Sequence, residues 1–162
     1  MKATLLGLTT VVLCSACISV SVPLTKSEHA KGVQYVPPTP PFEKFSAENV
    51  DELWRNPKNG NAISVVSDCG DNSDPSLKSI EQGVLMSLSP YTYNFAKETE
   101  FEGRAARRSQ AKGVVDGIPT IVDLLVFKKN SCIYIVTYSG LEKHHSADVK
   151  QFDTFISGFR AP

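Results

Sequence analysis

The chain has 162 residues, of which 41% are hydrophobic, and its 17 lysines and arginines balance 17 aspartates and glutamates. That length predicts one domain with a core of its own, rather than a small scaffold held by metals or many cystines. A zero net charge excludes bulk attraction to nucleic acid or to an anionic bilayer. The N-terminus carries the first pattern. Lys2 gives a short positive segment, Leu5 to Leu13 an apolar stretch of signal-peptide length, and Ser15 and Ala16 the small residues that precede a cleavage site. The apolar run is far shorter than the roughly 20 residues a membrane-spanning helix needs, so residues 1–16 read as an export signal.

Leu13-Cys14-Ser15-Ala16-Cys17 resembles the bacterial lipobox, in which small residues precede a cysteine that is acylated before cleavage. Cys14 stands where that motif usually has leucine. The resemblance implies that Cys17 is the lipid-carrying first residue of the mature chain and ties it to a membrane. Ile18 follows it where retention in the inner membrane would favour aspartate. By similarity to the sorting rule of Gram-negative lipoproteins, this implies the outer membrane, facing the periplasm. With Cys14 removed and Cys17 acylated, Cys69 and Cys132 remain, and an oxidising compartment pairs such residues. The bridge would close a loop of about 64 residues, worth roughly 4 kcal/mol by loop entropy. A redox or metal role finds no C-x-x-C and no nearby ligand set.

Residues 17–41 read as the lipidated N-terminus and a tether, stiffened by Pro37, Pro38, Pro40 and Pro41, and residues 42–162 as a single globular domain. A short helix is expected over Ala47 to Trp54, capped by Ser46. After the Asn59-Gly60 turn, Ala62 to Val66 form a β-branched strand ending near Cys69. Asp74 is expected to cap a helix with Pro75 in its first position, and Leu77, Ile80, Val84 and Leu88 recur at helical spacing until Pro90. Strands follow over Tyr93 to Phe101 and Arg104 to Val115, with Asp116-Gly117 a hairpin turn. Pro119 to Phe127 and Cys132 to Tyr138 are apolar on both faces, the mark of central strands covered on both sides. A last helix starts at Ser146, has Asp148 in its first turn, and aligns Val149, Phe152, Ile156 and Phe159, with Phe155 widening the stripe.

Helices at each end around an antiparallel sheet give an α+β fold, a three-layer α/β/α sandwich with helices on both faces. The order of elements, with Trp54 before the first strand, Gly103-Arg104 and Asp116-Gly117 flanking a long strand, and a Phe-rich closing helix, resembles the PsbP-like superfamily. That superfamily includes photosystem-associated proteins, a Ran-binding nuclear import factor and many small bacterial lipoproteins. The resemblance covers Phe42 to Phe159, and it implies a binding or assembly module rather than an enzyme.

No motif contradicts that expectation: G-x-S-x-G, H-E-x-x-H and a P-loop are all absent. His144-His145 reads as a solvated loop pair, since adjacent histidines diverge and would need a third ligand. Asp68, Asp71 and Asp74 lack the spacing of an EF-hand loop. Neither a metal nor another cofactor is expected. Arg104, Arg107, Arg108 and Lys112, close to Glu98, Glu100 and Glu102, read as a mixed solvated strand face. Asp123, set among Ile121, Val122, Leu124 and Leu125, is the carboxylate that needs explaining, because a charge there must be paired, exposed at a cleft, or shifted in pKa. Either it forms a structural pair with an arginine such as Arg107, or it is simply exposed under a poorly covered part of the sheet, or it and Arg107 line the polar floor of a binding pocket. Two functions remain: an envelope interaction or assembly module with an unidentified protein partner, and a carrier of a small molecule or lipid in a cleft between sheet and helix.

Overall fold

The computed structural model describes residues 28–70 and 74–162; residues 1–16, read above as an export signal, Cys17, residues 18–27 and Asp71 lie outside them. Seven strands form one antiparallel sheet: β1 (Glu43–Phe45), β2 (Glu52–Arg55), β3 (Ala62–Cys69), β4 (Tyr91–Phe101), β5 (Arg104–Val115), β6 (Ile118–Lys129) and β7 (Cys132–Leu141). Their order is β1-β2-β3-β7-β6-β5-β4. Among the described residues the two helices are α1 (Leu77–Leu85), prolonged by a 3-10 turn Met86–Leu88, and α2 (Val149–Gly158).

Local chemistry explains the β4-to-β7 meander. Its three turns are two-residue pairs with positive φ at both positions: Glu102-Gly103 (53° and 70°), Asp116-Gly117 (50° and 80°) and Asn130-Ser131 (51° and 61°). Such turns twist in the same sense as the strands they join. Strand alternation then sorts the core. Leu125, Phe127, Tyr134, Val136, Ile63 and Val65 share one cluster with Phe152, Phe155 and Phe159 at α2. Leu124 and Ala111 join Leu85 and Leu88, with Val84, Val122 and Ile135 packed against them. Neighbouring residues Leu124 and Leu125 thus enter different clusters, as period-two side chains must. Cys69 and Cys132, register partners on β3 and β7, are joined by a disulfide.

Several expectations change. Ala47 to Trp54 is not a helix: Asn49 takes the left-handed φ of 59°, and Glu52–Arg55 pairs with β3. Trp54 is 4% exposed and packs on Phe155 with a centroid distance of 5.4 Å. Part of the stretch read as tether lies against the fold. Glu28 bridges Cys69, Gln34 bridges Arg160, and the Tyr35 ring lies 5.0 Å from that of Trp54. The Ser67 hydroxyl accepts the Ala30 N–H at 2.7 Å. The cap of α1 is Ser76, whose hydroxyl accepts the Ser79 N–H at 3.1 Å, while Asp74 instead pairs with Lys128 at 2.5 Å. Before α2, His145–Ala147 is a 3-10 turn, and Asp148 occupies the cap position without capping by its side chain.

Candidate functional site

The two-residue turn at Asp116-Gly117 sets Gln110 directly opposite Asp123 and turns Arg107 to the other face. Asp123, 2% exposed, accepts Gln110 Nε2 at 3.1 Å on each carboxylate oxygen. Its Oδ2 also lies 2.7 Å from His145 Nε2. The His145 carbonyl in turn accepts the Tyr138 hydroxyl at 2.5 Å. Arg108 closes the group, with Nη2 3.7 Å from both Asp123 and Asp153 and its guanidinium 4.6 Å above the Phe152 ring. Burial holds the Arg108 pKa below its ordinary value, against the pull of Asp123 and Asp153. Burial likewise raises the Tyr138 pKa, with Asp148 and Asp123 adding to it.

This geometry corrects two readings. His145 is not a solvated loop residue; it is 5% exposed and engaged with Asp123. The pairing proposed for Asp123 with Arg107 is not formed either. Arg107 instead meets Glu81 of α1, with Nε 2.6 Å from Oε2. The Tyr93 hydroxyl donates to the same fully buried carboxylate at 3.0 Å. The hydrogen bond to Glu81 raises the Arg107 pKa against the cost of burial. Of the basic cluster, Arg107 and Arg108 are thus drawn into buried pairs, whereas Arg104 and Lys112 are exposed, Lys112 pairing with Glu142.

A second polar group escaped sequence reasoning. The side-chain amides of Asn56, Asn59 and Asn61 all donate to Asp148 Oδ2, at 2.9, 2.7 and 2.8 Å. Burial pushes the Asp148 pKa up, but the three donors together outweigh it and hold the group below its ordinary value. The N-x-x-N-x-N spacing in the β2–β3 turn was its only sequence trace. Asn61 also donates to the His144 carbonyl at 3.0 Å. Gly140 is required beside it, because a Cβ there would stand 2.0 Å from Asn61 Oδ1.

These bonds frame the end of the sheet that carries the β2–β3 turn, the β5–β6 turn and the β7–α2 loop. Two hollows open there. One, of 620 Å³, is lined by Ile118, Pro119, Leu141, Glu142 and Lys143. The other, of 520 Å³, shares Leu141 and is edged by Arg55, Lys58 and His144. Among the described residues, Arg55, Lys58 and Lys143 make no ion pair, and Ile118 is 50% exposed. A third hollow, of 430 Å³, lies under the N-terminal strap beside His29, Tyr35, Asp51 and Glu52. None of the three is lined by a residue of α1 or α2, so none is the sheet–helix cleft expected of a carrier. Among the described residues no set of three or more His, Cys, Asp or Glu side chains converges as for a metal ion. No described helix is long and apolar enough to cross a membrane.

No family model matches the sequence, and no curated protein matches it. Solved structures do. The solution structure of cyanobacterial PsbP (CyanoP) from Synechocystis sp. PCC 6803 is similar with a TM-score of 0.59 and 12% identity, covering 92% of this chain and 99% of that one. The crystal structure of LpqN, described as involved in cell envelope biogenesis of Mycobacterium tuberculosis, gives 0.50 at 11% identity over 81% and 92% of the two chains. A protein of Bacteroides thetaiotaomicron VPI-5482 gives 0.50 at 15% identity, covering 75% of this chain and 42% of that one. Seven antiparallel strands with two helices, in this order and with these likenesses, are the PsbP-like fold.

Proposed function

We propose that the chain is an exported, lipid-anchored, non-catalytic envelope module of a Gram-negative bacterium. It faces the periplasm from the outer membrane and docks an assembly partner at the sheet end carrying Ile118, Leu141, Arg55 and Lys58. In this reading the two hydrophobic clusters lie between the layers of a three-layer α/β/α sandwich, with α1 and α2 on opposite faces of the sheet. The observation that carries the proposal is the separation of the two ends of the sheet. The described chain enters at Glu28, bridged to Cys69, beside the Asn130-Ser131 turn, whereas the hollows and their unpaired cations lie at the opposite end. Residues 18–27 leave only eleven Cα–Cα steps between Cys17 and Glu28, a reach of at most about 40 Å. An anchor at Cys17 would hold the entry end toward the bilayer and leave the hollowed end free.

Chemistry supports the non-catalytic part. His145 and Asp123 have the residue types of an acid–base pair, yet both are sealed, and their partners are one another, Gln110 and Arg108. A general base must reach the proton it abstracts, and this one faces only protein. The Cys69–Cys132 disulfide suits an oxidising compartment. The fold shared with a protein described as acting in cell envelope biogenesis supports the setting.

Crosslinking in intact cells, with a photoreactive group at Ile118 of the full chain, tests docking. A specific envelope protein should be captured, and Arg55→Glu with Lys58→Glu should reduce the yield at least tenfold. Equal capture from a group at Ser131, exposed in the turn at the opposite end of the sheet, would contradict the assignment.

A further inference from the structure

We infer that β4 is a pairing edge, and that its occupant is β4 of a second copy of this chain, antiparallel about a two-fold axis at Ala96. Among the described residues the sheet ends on β4, which is bonded to β5 alone. At eleven residues it is far longer than the opposite edge strand β1, which has three. An edge presents a row of unpaired N–H and C=O groups, and proteins commonly shorten, charge or cover it. Here the first half, Tyr91 to Ala96, carries no charge and exposes Tyr93 (38%) and Phe95 (39%). The second half carries Lys97, Glu98 and Glu100.

This division makes the strand complementary to itself when reversed. An antiparallel pair about a two-fold normal to the sheet sets residues at equal steps from the centre against each other, on one face. A centre at Lys97 or Glu98 opposes that residue to its own like charge, and a centre at Thr99 opposes Glu98 to Glu100. A centre at Ala96 opposes the smallest side chain to itself and sets Lys97 beside Phe95 of the second copy, twice, with the ammonium within reach of the ring. Phe95 and Lys97 already share a face, since their register partners are Gln110 and Arg108.

The irregularity between Tyr93 and Phe95 fits the same register. With Asn94 as the extra residue, Tyr93 falls opposite Glu98, and Tyr91 opposite Glu100, of the second copy. No like charges then meet, and Tyr91 to Glu100 are all engaged. A centre at Phe95 also separates the charges, but it leaves Thr99 to Phe101 unmatched. The product would be a continuous fourteen-stranded sheet across two molecules, an isologous contact that closes on itself. Neither hollow at the sheet end is covered by it.

Ala96 and Thr99 are exposed, so cysteine at either site leaves the core intact. In membranes containing the full chain, Ala96→Cys should give a disulfide-linked homodimer on mild oxidation, at least tenfold faster than Thr99→Cys, which would face Thr92. Adding Lys97→Glu to Ala96→Cys should slow the reaction at least fivefold. The detergent-solubilised wild type should sediment as a dimer. The inference is overturned by equal or absent crosslinking at the two sites, by a crosslink to a different protein, or by a wild-type monomer at tens of micromolar. The crosslinking contrast reads only the β4 contact, so it stands or fails separately from partner capture at Ile118.

Discussion

Asn61 and Asp148 are 87 residues apart in the chain, yet the Asn61 amide donates to the Asp148 carboxylate at 2.8 Å. With Asn56 and Asn59 on the same oxygen, this contact lashes the β2–β3 turn to the segment that launches α2. It therefore fixes the rim of the hollows as well as the start of the helix. Replacing Asp148 by alanine removes one acceptor from three donors, two of which are on buried residues. Leaving such donors unsatisfied should cost about 2–4 kcal/mol, read by urea unfolding of the full chain. A loss under about 0.5 kcal/mol would show that water replaces the carboxylate.

The same carboxylate makes stability depend on pH. Its folded pKa is below the ordinary value, so its contribution is complete above the unfolded value of about 4. That contribution is lost as pH falls through the lower folded value. Unfolding free energies measured from pH 6 down to pH 2.5 should fall more steeply for the wild type than for Asp148→Asn. Parallel curves would remove Asp148 from the account of acid sensitivity.

Gly140 and Asn61 form a second coupled pair. A Cβ at residue 140 would meet Asn61 Oδ1 at 2.0 Å, and that oxygen sits on a fully buried residue. Gly140→Ala should destabilise by about 3 kcal/mol. Asn61→Ala costs hydrogen bonds of its own but removes the clash, so the double variant should be more stable than the sum of the single losses. Strict additivity in the double-mutant cycle would contradict close packing at this site.

Asp123 distinguishes structural pairing from a pocket floor. Asp123→Ala leaves Gln110, His145 and Arg108 without their shared partner, beside the buried His145 ring. A loss of about 3 kcal/mol is expected, or roughly 10 °C in melting temperature for a domain of this size. An unchanged melting curve together with lost partner capture would restore the pocket reading.

How much of this was legible beforehand depends on the range of each interaction. Arg104–Val115 is a strand with the expected bounds, because a two-residue turn with positive φ at either end fixes it locally. The same turns could have shown that Gln110, not Arg107, opposes Asp123, since a two-residue hairpin dictates the register. Glu52–Arg55 was misread as helical because a four-residue strand offers almost no periodicity, and Trp54 is buried by Tyr35 and Phe155, one near and one far in the chain. The pairs Asp123–His145 and Glu81–Arg107 join elements brought together only by tertiary packing. Cys69 and Cys132 were legible without any fold, because compartment and count alone pair them.

The most direct test of the central claim is the intact mass of the protein extracted from membranes of cells that make the full chain. The account predicts a mature chain that starts at Cys17, carries acyl groups there, and is two hydrogens lighter than the dithiol form because Cys69 and Cys132 are joined. A chain that retains residues 1–16, or one with an unmodified Cys17 and both thiols free, would contradict it.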